Sequence, residues 1–244
     1  MTRVVLQIVN GLSKVGGAET VAAALALRAS SAWEPHVLCL REGKDAGDSP
    51  LRRSLAENGV PLHGIAMGGL RDARSGLGLL ALLRRLRPAV VHAHNRPSDG
   101  WAMMAGAAAG VPARLYTRHL TYPDLTPAMR RRYALAARLS HRVVAVSGAV
   151  AGYLIREERA PLEKLSVVPN GVDLARLDAT SPATRERARA LRAAWGVADD
   201  AMLVGTLSRL STQKGLDIFL ETAARILAAE PAARFAIVGE GEAR

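Results

Sequence analysis

Cysteine is almost absent: Cys39 stands alone in 244 residues, inside the apolar run HVLCL. A single thiol excludes a disulfide framework and suits a reducing compartment, with Cys39 a small buried hydrophobe. Aromatics are also scarce, at 4%, which leaves little to build the stacking platforms that bind single-stranded nucleic acid. Acidic residues number 22 against 33 Lys and Arg, a formal charge of +11. The arginines are scattered through helical segments (Arg52, Arg53, Arg84, Arg85, Arg87, Arg130 to Arg132, Arg185 to Arg192). That scatter argues against a nucleic-acid partner and for anionic head groups or phosphorylated substrates. No apolar run approaches the length of a membrane span; Leu77–Leu86 is too short and carries Arg84 and Arg85. The opening MTRVVLQIVNGL resembles a leader, yet Gln7 and Asn10 interrupt it, and it reads better as a first buried strand. The expectation is a cytoplasmic protein that touches the inner face of an anionic membrane at most.

What is present is alternation. Short apolar strands (Val4–Val9, His36–Leu40, Leu62–Ala66, Ala89–Ala93, Arg114–Thr117, Val143–Val146) are separated by helical patterns. These helices are Glu19–Arg28, Leu51–Asn58, Ser75–Arg87, Asp99–Ala109, Pro127–Leu139 and Gly148–Glu157, with Ser147 as an N-cap. The pattern predicts an α/β fold with a parallel sheet and crossover helices. Pro169-Asn170-Gly171 is a turn signal, and a domain boundary is placed there, giving domains 1–172 and 173–244. An Arg- and Ala-rich helix, Thr180–Trp195, opens the second.

The stretch LVGTLSRLSTQKGLD, residues 203–217, carries the clearest chemistry. A strand over Met202–Gly205 ends in a polar loop, Thr206 to Gln213. A helix follows, with Leu216, Phe219, Leu220, Ala223 and Leu227 on one face. Arg209 and Lys214 bracket the loop, and lysine is rare here: Lys14, Lys44, Lys164 and Lys214 are all there are. A helix N-terminus flanked by an Arg fork and a Lys point charge suits a diphosphate. The bland alternative is a solvated helix start with chance cations.

Other strand ends also carry polar groups. The loop Asn10–Gly17 (NGLSKVGG) fits neither GxGxxG nor the Walker pattern. It leaves Gly16-Gly17 at a helix N-terminus, either a tight turn or a place where a ligand meets bare backbone. His92 and His94 sit two apart at a strand end. No third ligand lies at a recognisable spacing and no Asp-x-Asp occurs, so no metal is expected. An acceptor-side role for His94 or Asn95 fits the carboxyl end of a parallel strand. His119 follows the strand ARLYT in the same way, with Arg118 beside it.

GTLSRLSTQKGLDIFLETAARIL resembles the Arg…Lys-Gly segment that opens the C-terminal domain of retaining glycosyltransferases of family 4. VGGAET, VVHAHN, the T-x-H of TRH, PNGVD and FAIVGEGEAR resemble further segments of that family. The resemblance implies a GT-B fold: a complete N-terminal Rossmann-like domain and the beginning of a second, nucleotide-sugar-binding one. It implies that Arg209, Lys214, Gly16 and Gly17 hold the donor diphosphate and that His119 contacts the transferring sugar. Gly239 and Glu240 would approach the nucleotide, and Asn170 or Asp173 the substrate, although a structural turn competes there. The donor is a substrate, and no cofactor is implied. The acceptor would be a sugar, a lipid-linked molecule or a phosphorylated one, in cell-envelope glycan or glycolipid synthesis. The family continues for over a hundred residues past this point, with two Glu eight positions apart, so the sequence reads as truncated. An epimerase of the same fold, or a non-catalytic domain on a partner or membrane, are the alternatives.

Overall fold

Strands whose residues are apolar on both faces must be covered on both sides, and parallel strands joined by helices meet that need. A computed structural model of the chain describes residues 3–13, 16–41, 47–68, 72–122 and 124–242. The chain divides into two compact units, Met1–Gly171 and Val172–Arg244.

The first unit holds a parallel sheet of β1 (Arg3–Val9), β2 (Trp33–Cys39), β3 (Leu62–Gly64), β4 (Val90–His94), β5 (Ala113–Arg118), β6 (Arg142–Ala145) and β7 (Leu165–Val167). Their order is β3-β2-β1-β4-β5-β6-β7. One face is packed by α1 (Gly17–Leu27) and α2 (Pro50–Glu57) around Val9, Val37, Cys39, Ala22, Ala23 and Leu55. Leu6, Ile8, Leu38, Val91 and Tyr116 face the other way. There they meet α3 (Ala73–Leu86), α4 (Ser98–Ala108), α5 (Pro127–Leu139) and α6 (Gly148–Glu158). The winding reverses between β1 and β4, so the loops after these two strands diverge and leave a crevice at their carboxyl ends. Cys39 is buried, and Ser147 caps α6 by accepting from the Val150 amide. No helix among the described residues is long and apolar enough to cross a membrane.

The second unit contains α7 (Pro182–Ala194), β8 (Leu203–Leu207), α8 (Leu216–Ala229) and β9 (Arg234–Val238), with β8 and β9 parallel.

Three sequence expectations are corrected. First, β7 has no counterpart among the expected strands: it is a three-residue edge strand whose Val167 is half-exposed, too short for a period to register. Second, β8 continues two residues beyond Gly205, because Gly205, Thr206 and Leu207 pair with Ala236, Ile237 and Val238. Of the five residues expected on the buried face of α8, only Ala223 is fully buried, while Leu220 is 58% exposed. Third, Pro169-Asn170-Gly171 forms no turn. Val168 donates to the Ala145 carbonyl at 2.8 Å, which carries the β7 pairing on, and the next three residues run exposed without a positive φ.

Arg118, the neighbour of His119, is a structural residue. It is 0% exposed and bridges Asp99 of α4 at 2.5 Å and Glu158 of α6 at 2.7 Å, both also buried. The rings of Tyr116 and Tyr133 lie 5.4 and 5.3 Å from its guanidinium carbon. Burial opposes its charge, but the two carboxylates outweigh burial and raise its pKa above the ordinary value. Burial first, then Glu158, push the Asp99 carboxyl up to about 6 against the pull of Arg118.

Removing one member of a buried ion cluster strands the others. Arg118→Met is therefore expected to cost about 3–5 kcal/mol in urea unfolding. Replacing Arg118, Asp99 and Glu158 together with apolar residues should recover most of it. A loss below about 1 kcal/mol for the single change would refute the cluster's role.

Candidate functional site

The crevice side of β1, β4 and β5 is built from polar side chains that satisfy one another. β4 presents His92 and His94 to the same side, with ring centroids 4.2 Å apart. His92 Nε2 meets Thr117 Oγ1 at 2.8 Å. His94 is 1% exposed, and both its nitrogens are engaged: Nε2 with Gln7 Oε1 at 2.9 Å, Nδ1 with His119 Nε2 at 3.1 Å.

This chain of contacts fixes the protons. An amide oxygen only accepts, so the Gln7 Oε1 contact places the His94 proton on Nε2. His94 Nδ1 then accepts, and His119 Nε2 donates. That leaves His119 Nδ1 as an acceptor, and it is buried with no hydrogen-bond partner among the described residues. All three rings are held neutral. Burial foremost, with His119 second, lowers His92 to about 3. Burial and then Arg118 lower His119 to about 4. Burial keeps His94 well below the ordinary range as well. His119 thus offers a neutral lone pair to a hydroxyl.

Asn95, at φ 60°, turns the chain out of β4. Its Oδ1 accepts from the His119 amide at 3.1 Å, and Ser98 Oγ donates to the carbonyls of His94 and Asn95. Asn10 Nδ2 donates to the Arg96 carbonyl at 2.8 Å, tying the loop after β1 to the loop after β4. Asn95 therefore positions His119 rather than standing open. Gly16 is the N-cap of α1 and Gly17 its first residue. Gly17 is exposed, and a Cβ on it would meet nothing within 4 Å, whereas one on Gly16 would lie 2.5 Å from Glu19 Oε2.

In the second unit, Arg209 and Lys214 lie on the loop between β8 and α8. Both are exposed, and neither side chain has a hydrogen bond or ion pair among the described residues. The loop itself is held firmly. Ser208 N donates to the Val238 carbonyl at 3.1 Å and Leu210 N to the Glu240 carbonyl at 2.8 Å, one on each side of Arg209. Gly239 and Gly241 make this approach possible: a Cβ there would stand 1.8 Å from Ser208 O and 2.0 Å from Leu210 O. These glycines serve the backbone of the loop, and Glu240 takes part through its carbonyl. Lys214 closes a short 3-10 turn, and Gly215, at φ 62°, begins α8. Asn170 is exposed in the irregular stretch, and Asp173 precedes the 3-10 helix Leu174–Leu177. Among the described residues, no group of three or more His, Cys, Asp or Glu is arranged to hold a metal ion.

Gln7 sits inside an apolar strand and shows in the sequence only as a break in a leader-like run. A buried polar residue that faces a histidine on the neighbouring strand, 87 positions along the chain, has no local signature.

The neutral histidines have a thermodynamic consequence. Their folded pKa values lie below the unfolded value, so their contribution is complete above pH about 6.5 and is lost as pH falls. Asp99, raised to about 6, acts oppositely, favouring the fold as pH drops through that value. Three histidines against one aspartate leave a net loss on acidification. His92 and His94 each contribute up to about 1.4 kcal/mol per pH unit. Urea unfolding at pH 7.5 and 5.5 should show the loss, and His92→Gln should flatten it; an equal slope in the variant would contradict the assignment.

Comparison with known proteins agrees with this architecture. D-inositol 3-phosphate glycosyltransferase of Segniliparus rotundus is 30% identical over 207 residues, 75% of this chain and 44% of that protein. The UDP-Gal:alpha-D-GlcNAc-diphosphoundecaprenol alpha-1,3-galactosyltransferase of Escherichia coli is 26% identical over 181 residues, 71% of this chain and 46% of that protein. The chain thus spans somewhat under half the length of these relatives. Among solved structures, Anabaena Alr3699/HepE in complex with UDP superposes with a TM-score of 0.73 at 20% identity, over 99% of this chain and 62% of that one. This likeness assigns the fold as GT-B. The profile of Glycosyltransferase Family 4 matches residues 15–176, from the loop before Gly16 through His94 and His119 to the stretch past Asn170. With more than half of its length matched in this way, the chain belongs to Glycosyltransferase Family 4.

Proposed function

We propose that the whole protein is a retaining glycosyltransferase that moves a sugar from a nucleoside diphosphate sugar to an acceptor hydroxyl. One observation carries the reading: Arg209 and Lys214 are unengaged cations on a loop pinned from both sides. As the bond from the anomeric carbon to the phosphate oxygen breaks, negative charge grows on the departing diphosphate. Donors already aimed at that charge lower the barrier without reorganising. Arg209 supplies a planar fork, Lys214 a point charge, and the first amides of α8 a partial positive charge. Gly17 adds a backbone amide at the start of α1. In this proposal side-chain cations take the place that a metal ion fills in other sugar transferases, and no cofactor is required.

His119 receives a hydroxyl of the donor sugar on Nδ1. Because its ring is neutral, it holds the sugar without competing for the diphosphate. Gln7, His94 and Asn95 are positioning residues for it. Retention rests on the family resemblance, and the residues offer no carboxylate pair of the kind a double displacement uses. The two curated relatives are named for a phosphorylated acceptor and a lipid-diphosphate-linked one. A phosphorylated or lipid-linked acceptor at the inner face of the membrane, in envelope glycan synthesis, suits the charge of +11.

Lys214→Ala in the whole protein is expected to lower kcat/KM by about 10²–10³-fold while the circular dichroism spectrum and melting midpoint stay put. Undiminished turnover would sink the assignment. Proton NMR of the first product formed should show the anomeric configuration of the donor; an inverted product would remove retention and leave the transferase reading standing.

A further inference from the structure

Away from the crevice, the sheet ends at β3, whose outer edge carries no strand. A groove of about 560 Å³ runs along that edge, between α2 on one face and α3 on the other. Its polar lining is Arg52, His63 and Arg85, and its apolar lining includes Leu62, Ile65 and Leu82; among the described residues no carboxylate lines it. Arg85 is exposed and has no hydrogen bond or ion pair among the described residues.

His63 is held as a wall of this groove. Its Nε2 meets His36 Nδ1 at 2.9 Å, and His36 Nε2 meets Glu34 Oε1 at 3.1 Å. The two imidazoles stack with 9° between their planes. With Glu34 accepting, His36 Nε2 carries a proton, so His36 Nδ1 accepts and His63 Nε2 donates. The ring therefore has one orientation.

Two further features open the space. Gly78 of α3 is exposed, and a Cβ on it would meet nothing within 4 Å. The next residue back, Leu77, is 66% exposed. The surface beside Arg85 is thus apolar and unfilled, and the acidic group at α3, its N-cap Asp72, lies at the far end of the helix beside Arg74, not by Arg84 or Arg85.

We propose that this groove binds a phosphomonoester carried on an apolar body. Two guanidinium groups, drawn from α2 and α3, suit an anion that presents several oxygens at once, and His63 Nδ1, left as an acceptor, can take a hydrogen bond from the P–OH of a monoanionic phosphate. The Leu62, Ile65 and Leu82 surface accepts the apolar part. The same chemistry is found in soluble alkyl phosphates and in a lipid with a phosphomonoester head group. The site is separate from the donor and acceptor elements, since β3 lies two strands from the β1–β4 reversal. Neither proposal depends on the other.

The test is titration calorimetry of the full chain with octyl phosphate. Saturable binding of one equivalent is expected, with inorganic phosphate and octyl glucoside each at least about tenfold weaker because each lacks one half of the ligand. Arg85→Gln should weaken octyl phosphate about tenfold, as the loss of one charge-assisted contact would. Gly78→Leu fills the groove and should abolish binding; replacing a mid-helix glycine, it should not lower the melting midpoint. Co-sedimentation with phosphatidic acid vesicles separates the two sources. Loss of vesicle binding in both variants assigns the site to the lipid, and vesicle binding that is absent or insensitive to them assigns it to the soluble phosphate. Octyl phosphate and vesicles both failing to respond to either variant would overturn the proposal, as would octyl glucoside binding as tightly as octyl phosphate.

Discussion

A guanidinium with no access to water sits at the carboxyl end of β5, and much of the first unit is arranged to meet its needs. Arg118 draws Asp99 from α4 and Glu158 from α6 onto the same point. A charge this deeply buried is tolerable only with partners in place, and each partner is tolerable only with the charge. The ends of α4, α6 and β5 are thereby fixed relative to one another. The next residue is His119, the group that faces the crevice. Its position therefore inherits the rigidity of the ion cluster on the opposite side of the strand, and Arg118 also helps to keep its ring neutral.

The same division of labour runs through the crevice. A ligand-binding histidine needs a defined tautomer and a fixed plane, and neither comes free from a backbone. Gln7 sets the proton of His94, His94 sets that of His119, and Asn95 Oδ1 holds the His119 amide. Three strands contribute one member each. The relay can therefore exist only where β1, β4 and β5 are adjacent, which is where the winding of the sheet reverses. Topology and chemistry are one constraint here.

Much of this was legible in the sequence because it is local. Apolar runs flanked by helical periods located most of the strands, and the Arg209 and Lys214 loop was recognisable from one stretch of chain. What escaped notice depends on distance. Arg118 looked like an anomaly beside His119, since its partners lie 19 and 40 positions away along the chain. Gln7 meets a histidine 87 positions later. Pro169-Asn170-Gly171 misled for a related reason. Its residue types permit a turn, but the pairing of Val168 with Ala145 carries the chain straight on. The resemblance places Gly239 and Glu240 near the nucleotide, but it does not reveal that Gly239 and Gly241 also make room for the carbonyls of Ser208 and Leu210.

The two units consequently offer opposite kinds of polar group. In the first, the crevice histidines are neutral and largely bonded to one another and to Gln7 and Thr117, with the Nδ1 lone pair of His119 left unpartnered among the described residues. In the second, the backbone is pinned while Arg209 and Lys214 reach into solvent unengaged. A sugar hydroxyl is small and neutral, and discriminating it calls for fixed acceptors in a dry setting, where an unmatched group is costly. A diphosphate is highly charged and strongly hydrated, and capturing it calls for cations that can reorient as water leaves. A chain that held its cations as tightly as it holds His119 would have to bury them with counter-ions, as it does Arg118, and in the proposed role would then have no charge to offer a departing diphosphate. Leaving Arg209 and Lys214 exposed on a pinned loop keeps that charge available, and the close-packed glycines that follow β9 are what let the loop be pinned.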